Sequence, residues 1–265
     1  METLLLTPNL LIIRKLESIF VLRDAEKKAI KELSIKTISL HSDQDILKVG
    51  DQPTQCCLVI DGFTCAYKLT YEGRRQITSL YIPGDIPDLQ SLHLSSLDIN
   101  IASITPCILG FIEHDDLHSL CELYPRLSVA LWRETLMSAS ITREWLLNNG
   151  QRPAYNRIAH LICELLVRLE AVGLATESTF DMPVTQAELA DATGMTHIHM
   201  NRVLQALRTD GLISNKNNGV YVSRIDLIRY LGINDWKFLC KMLVDINIVS
   251  FINGGRSSYD FSKSL

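Results

Sequence analysis

The stretch from Thr185 to Ile213 constrains the chain most, because it fits two short helices that cross at a tight turn. Thr185 and Glu188 form the capping-box pattern that begins a helix. Gly194 suits the left-handed backbone of a sharp turn, and Thr196 caps the next helix. That helix carries an apolar stripe at helical spacing, Met200, Val203, Leu204 and Leu207. We predict a helix-turn-helix here; the alternative is an ordinary helical hairpin.

The opposite face of the second helix keeps polar side chains. A DNA-reading helix needs them because its N-terminal residues meet the base edges. Asn217-Asn218-Gly219 then joins predicted strands 212–216 and 220–223, which indicates a β-hairpin wing, with Lys216 and Arg224 placed to touch phosphates. The predicted DNA-contacting residues are Thr185, Gln186, Thr196, His197, Ile198, His199, Asn201, Arg202, Gln205, Arg208 and Lys216.

The charge balance is unusual for a DNA-binding protein, since the chain of 265 residues has a net charge of −4. The acidic surplus lies before residue 150, and a thin basic face survives around Arg202, Arg208 and Lys216. Two copies would double the phosphate contacts. The length allows two domains. No apolar run is long enough to span a membrane, so we expect a cytoplasmic protein with no membrane partner.

Seven cysteines are scattered without CxxC pairs, which predicts neither a zinc site nor a disulfide framework. Adjacent Cys56 and Cys57 leave an oxidant sensor as an alternative, but buried strand residues are the plainer interpretation. His160 and Cys163 share a helical face without further ligands, which indicates helix packing. No metal and no cofactor is predicted. The sequence contains no nucleophile elbow, phosphate loop or metal triad. We therefore predict that the protein is not an enzyme.

The N-terminal half has a different pattern of apolar and turn-forming residues. Residues 9–33 predict two short surface helices. From Ile35 onward, turn signals recur about every ten residues, which indicates an antiparallel barrel or sandwich. Pro125 then begins a long helix whose near-heptad apolar positions are typical of dimerisation, although a monomeric scaffold helix is the alternative. The predicted dimer contacts are Leu127, Leu131, Ser138, Ile141 and Trp145.

Four turns carry a resemblance: ILKVGD at 46–51, LVIDG at 58–62, EGRRQI at 72–77 and IPGD at 82–85. In this order, and followed by the helix-turn-helix, they resemble the cyclic-nucleotide-binding β-roll of Crp/Fnr-type transcription regulators. The resemblance implies an α+β fold with an antiparallel, jelly-roll-like β-roll, a long dimerisation helix and a winged helix-turn-helix domain. The predicted units are 1–116 for the N-terminal helices and roll, 117–149 for the dimerisation helix and its hinge at Asn148–Gly150, 150–247 for the DNA-binding domain and 248–265 for a flexible tail.

Ligand-binding members of this family hold a cyclic nucleotide through a Gly-Glu pair and an arginine after the last of these turns. Here Pro87 and Asp88 stand in place of the pair, and no lysine or arginine occurs from residue 84 to 125. A buried phosphate needs cationic or N–H donors, so we predict that the chain does not bind a cyclic nucleotide. Asp88, Gln90 and Ser91 form a possible loop for another ligand.

Other sensing devices of the family have weak support. An iron–sulfur form would need N-terminal cysteines, and none precedes Cys56. The histidines of the first half, His41, His93, His114 and His118, are interpreted as lone surface residues rather than haem ligands. The effector, if there is one, is not identified by the sequence.

The resemblance implies a homodimer that regulates transcription from a palindromic operator, with RNA polymerase as a further partner. Arg202 matches an arginine that reads guanine in this family, and Ile198 stands where the family has a glutamate. Isoleucine cannot accept from cytosine but can pack on a thymine methyl, so we expect a different half-site. The alternative is a small-molecule or cyclic-nucleotide sensor whose C-terminal domain is accessory.

Overall fold

The computed structural model describes residues 7–175, 179–180, 182–216 and 219–222. The predicted wing turn at 217–218, Arg224, the helix predicted within 225–247 and the tail from 248 lie outside the described residues. No described helix is long and apolar enough to cross a membrane.

Two short helices begin the described chain, as predicted: α1 (Pro8–Glu17) and α2 (Asp24–Lys31). Proline opens α1 at a position where a missing backbone N–H costs nothing. The apolar face of α1 packs with the roll and the long helix in one cluster, which contains Ile12, Ile13, Leu16, Leu58, Ile112 and Leu127.

The roll consists of two antiparallel sheets, which confirms the predicted antiparallel fold. One sheet has three strands in the order β1 (Lys36–Leu40), β7 (Cys107–Glu113) and β3 (Gln55–Asp61). The other has four strands in the order β2 (Asp45–Leu47), β6 (Asn100–Ser103), β4 (Thr64–Leu69) and β5 (Arg75–Tyr81). A short 3-10 helix, Leu89–Leu92, follows the last turn of the roll.

Gly62 shows why one of the predicted turns requires glycine. Its φ is +82°, and a Cβ atom there would lie 2.4 Å from the carbonyl oxygen of Pro106. Only a residue without a side chain allows this close approach between the β3–β4 turn and the segment before β7.

The C-terminal half is helical with a small sheet. Its helices are α3 (His114–Leu123), α4 (Pro125–Gln151), α5 (Ala154–Ala171), α6 (Gln186–Thr193) and α7 (His197–Thr209). Its strands β8 (Thr179–Phe180), β9 (Ile213–Lys216) and β10 (Gly219–Val222) form an antiparallel sheet in the order β8-β10-β9. The β9–β10 pair lies where the wing hairpin is predicted.

The predicted hinge at Asn148–Gly150 is wrong, because α4 runs through these residues without a break. Asn148 is buried, and its side chain donates to the carbonyl of Arg157 at 3.1 Å. The helix ends instead at Gln151, and the next residue, Arg152, has the extended backbone that is favoured before proline. The asparagines are therefore packing residues of the helix.

A continuous apolar core joins the roll to the DNA-binding domain. It includes Ile77, Leu80 and Ile82 from the roll, Trp145 from α4, and Leu189 from α6. All five side chains are at most 5% exposed. The two halves thus share buried surface, and their relative orientation is set by packing.

Candidate nucleic-acid interface

The capping box at the start of α6 forms as predicted. The Glu188 carboxylate accepts from the backbone N–H of Thr185 at 2.6 Å, and the Thr185 hydroxyl accepts from the backbone N–H of Glu188 at 3.3 Å. These two bonds satisfy helix-end donors that have no partner within the helix. Gly194 ends α6 with φ +67°, the left-handed conformation that the turn requires.

Helix α7 begins beyond this turn. The Thr196 hydroxyl caps it by accepting from the backbone N–H of His199 at 3.3 Å. Its apolar stripe of Met200, Val203, Leu204 and Leu207 is buried, with no member more than 6% exposed. Two helices held by their caps and by this stripe form the predicted helix-turn-helix.

The remaining surface of α7 faces solvent. Ile198 is 70% exposed on the first turn, which is unusual for an apolar side chain of this size. The exposed residues among the predicted DNA contacts are Thr185, Gln186, Thr196, His197, Ile198, His199, Asn201, Arg202, Gln205 and Arg208. Lys216 lies in β9, and its side chain is outside the described part of the chain.

Asp88 does not face an open ligand site, so its prediction as a ligand contact is wrong. It is completely buried, and its Oδ1 accepts from the backbone N–H of Cys57 at 2.8 Å. Burial raises the pKa of this carboxyl to about 7. Ser91 is also buried, with its hydroxyl 3.0 Å from the Nε2 of His114, and half-buried Gln90 lines a cavity described below.

The interior of the roll also holds the adjacent cysteines. Cys56 and Cys57 are fully buried, and burial raises the pKa of both thiols. A buried thiol that stays protonated reacts slowly with oxidants, which supports their interpretation as strand residues. His93 and His118 are exposed but not isolated, because their rings form an edge-to-face pair with centroids 5.9 Å apart.

The face of α4 that is available to a second copy is not the predicted one. Leu127 and Trp145 are buried within the subunit, so a second copy cannot reach them, and their prediction as dimer contacts is wrong. Leu131 and Ile141 pack on the two large apolar clusters, and Ser138 lines the same cavity as Gln90. The predicted heptad positions therefore lie on the inner face of α4, which packs within the subunit. The outer face exposes Val129, Trp132, Leu136, Leu146 and Leu147.

A buried charge network joins the roll to the helices, and it was not predicted. Asp85 accepts from Lys15 of α1 at 2.6 Å and from Arg168 of α5 at 2.7 Å. Arg168 also reaches Glu164 at 3.1 Å, and the indole of Trp145 donates to Glu164 at 2.7 Å. The network therefore links α1, the roll, α4 and α5, whose long sequence separations hide it from any local pattern.

A cavity of about 250 Å³ lies beside this network. Its charged lining residues are Lys15, Asp85, Glu134 and Arg168, and each of them is ion-paired with another of the four. Within the described part of the chain, the cavity therefore presents no unpaired charge to an ion such as a cyclic phosphate.

Comparison with known proteins agrees with this architecture. Residues 37–124 match the cyclic nucleotide-binding domain, and residues 156–230 match the Crp-like helix-turn-helix domain. The transcriptional activator protein FnrL of Cereibacter sphaeroides is 26% identical over 194 residues, which cover 72% of this chain and 77% of FnrL. The anaerobic regulatory protein of Haemophilus influenzae is 24% identical over 221 residues, 82% of this chain and 85% of that protein.

A solved structure shows the same fold. FixK2 from Bradyrhizobium japonicum superposes with a TM-score of 0.67 at 22% identity, covering 75% of this chain and 98% of FixK2. A roll, a long helix and a helix-turn-helix, each in the predicted order, define a transcription regulator that binds DNA through its C-terminal domain. The chain belongs to the Crp/Fnr family, which confirms the resemblance read from the turns.

Proposed function

We propose that the protein binds a two-fold symmetric operator as a homodimer, with one α7 in the major groove of each half-site. The observation that carries this proposal is the division of α7 into a fully buried apolar stripe and an exposed face with Arg202 and Ile198. A reading helix needs this division, because one side must pack and the other must meet base edges. The acidic net charge favours two copies over one, since a pair doubles the phosphate contacts.

The outer face of α4 supports the dimer. Val129, Trp132, Leu136 and Leu146 are each at least half exposed. The first three are separated by the three- and four-residue steps of a coiled-coil seam, and Leu146 lies ten residues further on, at a later position of the same heptad pattern. A second α4 packed along this face would remove the four side chains from water. The homodimer proposed above therefore uses the outer face in place of Leu127 and Trp145.

Sedimentation and tryptophan fluorescence test this seam. We expect Leu136→Asp to convert the dimer to a monomer and to shift the Trp132 emission to longer wavelength, because the indole becomes wet. Leu123→Asp is the matched control: Leu123 is 76% exposed and precedes α4, so the variant should remain a dimer. An unchanged dimer for Leu136→Asp would contradict the seam.

Base reading is tested on an operator selected from random DNA by the wild-type protein. We expect Arg202→Ala to weaken binding by about 1–3 kcal/mol per half-site and to relax selection at one base pair. Arg23→Ala, an exposed arginine before α2, is the control and should bind as wild type does. Equal affinity of the Arg202 variant would contradict this docking.

Ile198 gives a sharper test of the same interface. An apolar side chain on the reading face can contact a thymine methyl group. Replacing the selected thymine with uracil removes only that methyl, so wild type should bind the uracil operator more weakly. Ile198→Ala should bind both operators equally, and equal loss in both proteins would show that the methyl is read elsewhere.

We further propose that operator binding does not require a cyclic nucleotide. The carboxylate of Asp88 is already bonded to the backbone of β3, and the nearby cavity has its charges paired. Calorimetry with cyclic AMP should show no heat of binding, and tight binding would overturn this part of the proposal. RNA polymerase is the further partner we propose, since relatives such as FnrL are named as transcriptional activators.

A further inference from the structure

The roll touches the helix-turn-helix directly, through two adjacent residues of β5. We propose that Arg75 and Gln76 are positioning residues, which lock α6 to the roll and thereby fix the spacing of the two DNA half-sites that the dimer accepts. This inference rests on the operator binding proposed above. It assigns a role in DNA recognition to two side chains that lie outside the DNA-binding domain.

The contacts are specific. The Nε of Arg75 lies 2.7 Å from the Oδ2 of Asp191, and the side-chain amide of Gln76 donates to the carbonyls of Asp191 at 2.7 Å and Ala192 at 3.1 Å. A Cβ atom on Gly194, in the turn before α7, would lie 3.9 Å from the Oε1 of Gln76. The β5 side chains therefore meet the helix-turn-helix at the end of α6, beside its turn.

The last carbonyls of a helix have no partner within it, and they must be satisfied from outside. In α6 the partners come from three other elements: Gln76 of β5, Asn149 of α4, which donates to Ala192 at 3.0 Å, and Arg157 of α5, which donates to Thr193 at 3.2 Å. Donors from the roll, the long helix and α5 converge on one helix end. That end cannot turn without breaking bonds to all three.

Apolar packing also holds α6 against β5. β5 is the edge strand of its sheet, and α6 lies against it. Ile77 of β5 and Ala190 and Ala192 of α6 belong to one buried cluster, with each side chain at most 2% exposed. The small alanine side chains let α6 approach β5 closely but do not interlock with it. The polar contacts of Arg75 and Gln76 therefore fix the lateral position of α6 on β5.

The consequence for DNA follows from geometry. The dimer seam proposed above lies on α4, and α4, β5 and α6 are joined by direct contacts, so the seam sets the distance to each reading helix. Adding one base pair between half-sites moves one of them by about 3.4 Å and rotates it by about 35°. If the β5–α6 contact is rigid, the dimer should bind an operator with altered spacing more weakly. If the contact is weakened by mutation, the dimer should lose less affinity for the altered spacing.

The test compares operators that differ only in spacing. Wild type first selects its operator from random DNA, and affinities are then measured for that operator, for versions with one base pair added or removed, and for a single half-site. We expect wild type to bind the altered spacings at least about tenfold more weakly than the selected one. The ratio of the affinity for the selected spacing to the affinity for an altered spacing should fall at least about threefold in Arg75→Ala/Gln76→Leu. The affinity of this variant for a single half-site should stay within about twofold of wild type.

The matched control is Arg74→Ala/Gln52→Leu, which removes the same two residue types from exposed positions of the roll. It should keep the wild-type ratio. Should the double variant fail to fold, Gln76→Met alone removes the two amide bonds from Gln76 to α6 and should lower the ratio in the same direction. A second readout is rescue: exchanging the ion pair as Arg75→Asp/Asp191→Arg should restore discrimination relative to Arg75→Asp.

The two proposals fail in different ways. If wild type selects no two-fold symmetric DNA, the proposed function is wrong. If it does select such DNA and discriminates spacing, but the β5 variants keep the full ratio with a normal half-site affinity, the positioning role of Arg75 and Gln76 is wrong and the function stands.

Discussion

Two aspartates on one loop of the roll, Asp85 and Asp88, are both buried and yet lie in opposite electrostatic surroundings. Asp85 faces the helices, where Lys15 and Arg168 hold its carboxylate and the backbone N–H of Ile82 donates to it at 2.8 Å. Asp88 faces the roll interior, where the backbone N–H of Cys57 donates to its Oδ1. No hydrogen bond reaches its Oδ2 from the described residues.

The pKa values of the two carboxyls move apart accordingly. Burial alone would raise the pKa of Asp85, but Lys15 and Arg168 outweigh burial, and the pKa is lowered. Burial raises the pKa of Asp88 to about 7, because the backbone donors near this carboxyl do not compensate for the lost water. Asp85 is thus a charged junction between the roll and the helices, whereas Asp88 is a polar residue that the roll keeps largely uncharged below neutral pH.

Removing the cation shared by the junction should have the largest effect. Arg168→Met keeps the length of the side chain but leaves Asp85 with Lys15 and the Ile82 N–H, and Glu164 with the Trp145 indole. Breaking a buried charge pair costs about 3–5 kcal/mol, and we expect that loss in the free energy of unfolding at pH 7. Urea unfolding at a fixed protein concentration measures it. Arg14→Met, which loses one long hydrogen bond to Val172, is the control, and an equal loss there would show that the junction carries no special stability.

The sequence predicted the elements that local chemistry determines. The capping box of Thr185, the left-handed Gly194 and the helix start at Pro125 each depend on residues within a few positions of one another. The turn glycines of the roll are equally local, and their order was enough to indicate the family. Such signals survive in a sequence because nothing distant is needed to interpret them.

The sequence did not predict which surfaces meet. Helix α4 has apolar residues on two faces, and only the packed roll and α5 show that Leu127 and Trp145 face inward while Trp132 faces outward. The partner of Asp88, the Cys57 N–H, is 31 residues away in the sequence, so no local pattern indicates that this carboxylate is already bonded. The junction at Asp85 and the contacts of Gln76 join residues more than 65 positions apart, beyond any periodicity.

The second prediction uses the raised pKa of Asp88. Between its ordinary pKa near 4 and its folded pKa of about 7, the carboxyl is charged in the unfolded chain but protonated in the native one. The native state then binds more protons, so this group lowers stability as pH rises through that window. Asp88→Asn cannot ionise and keeps an acceptor for Cys57. We expect the free energy of unfolding of Asp88→Asn, relative to that of wild type, to increase by about 2–4 kcal/mol between pH 4 and pH 8. An advantage that did not grow with pH would contradict the assigned pKa.

Asp85→Asn should show the smallest change, and a pH dependence of the opposite sign. Lys15 keeps Glu134 and Arg168 keeps Glu164, so the cost is that of weakened hydrogen bonds to buried groups, and we expect a loss of about 1–3 kcal/mol at pH 7. A carboxyl with a lowered folded pKa stabilises above its unfolded pKa and loses that contribution as pH falls through the folded value. The deficit of Asp85→Asn should therefore be constant from pH 5 to 8 and shrink below about pH 4. Asp98→Asn, at a side chain 71% exposed, should track wild type throughout. A deficit for Asp85→Asn that grew toward low pH would reverse the roles assigned to the two aspartates.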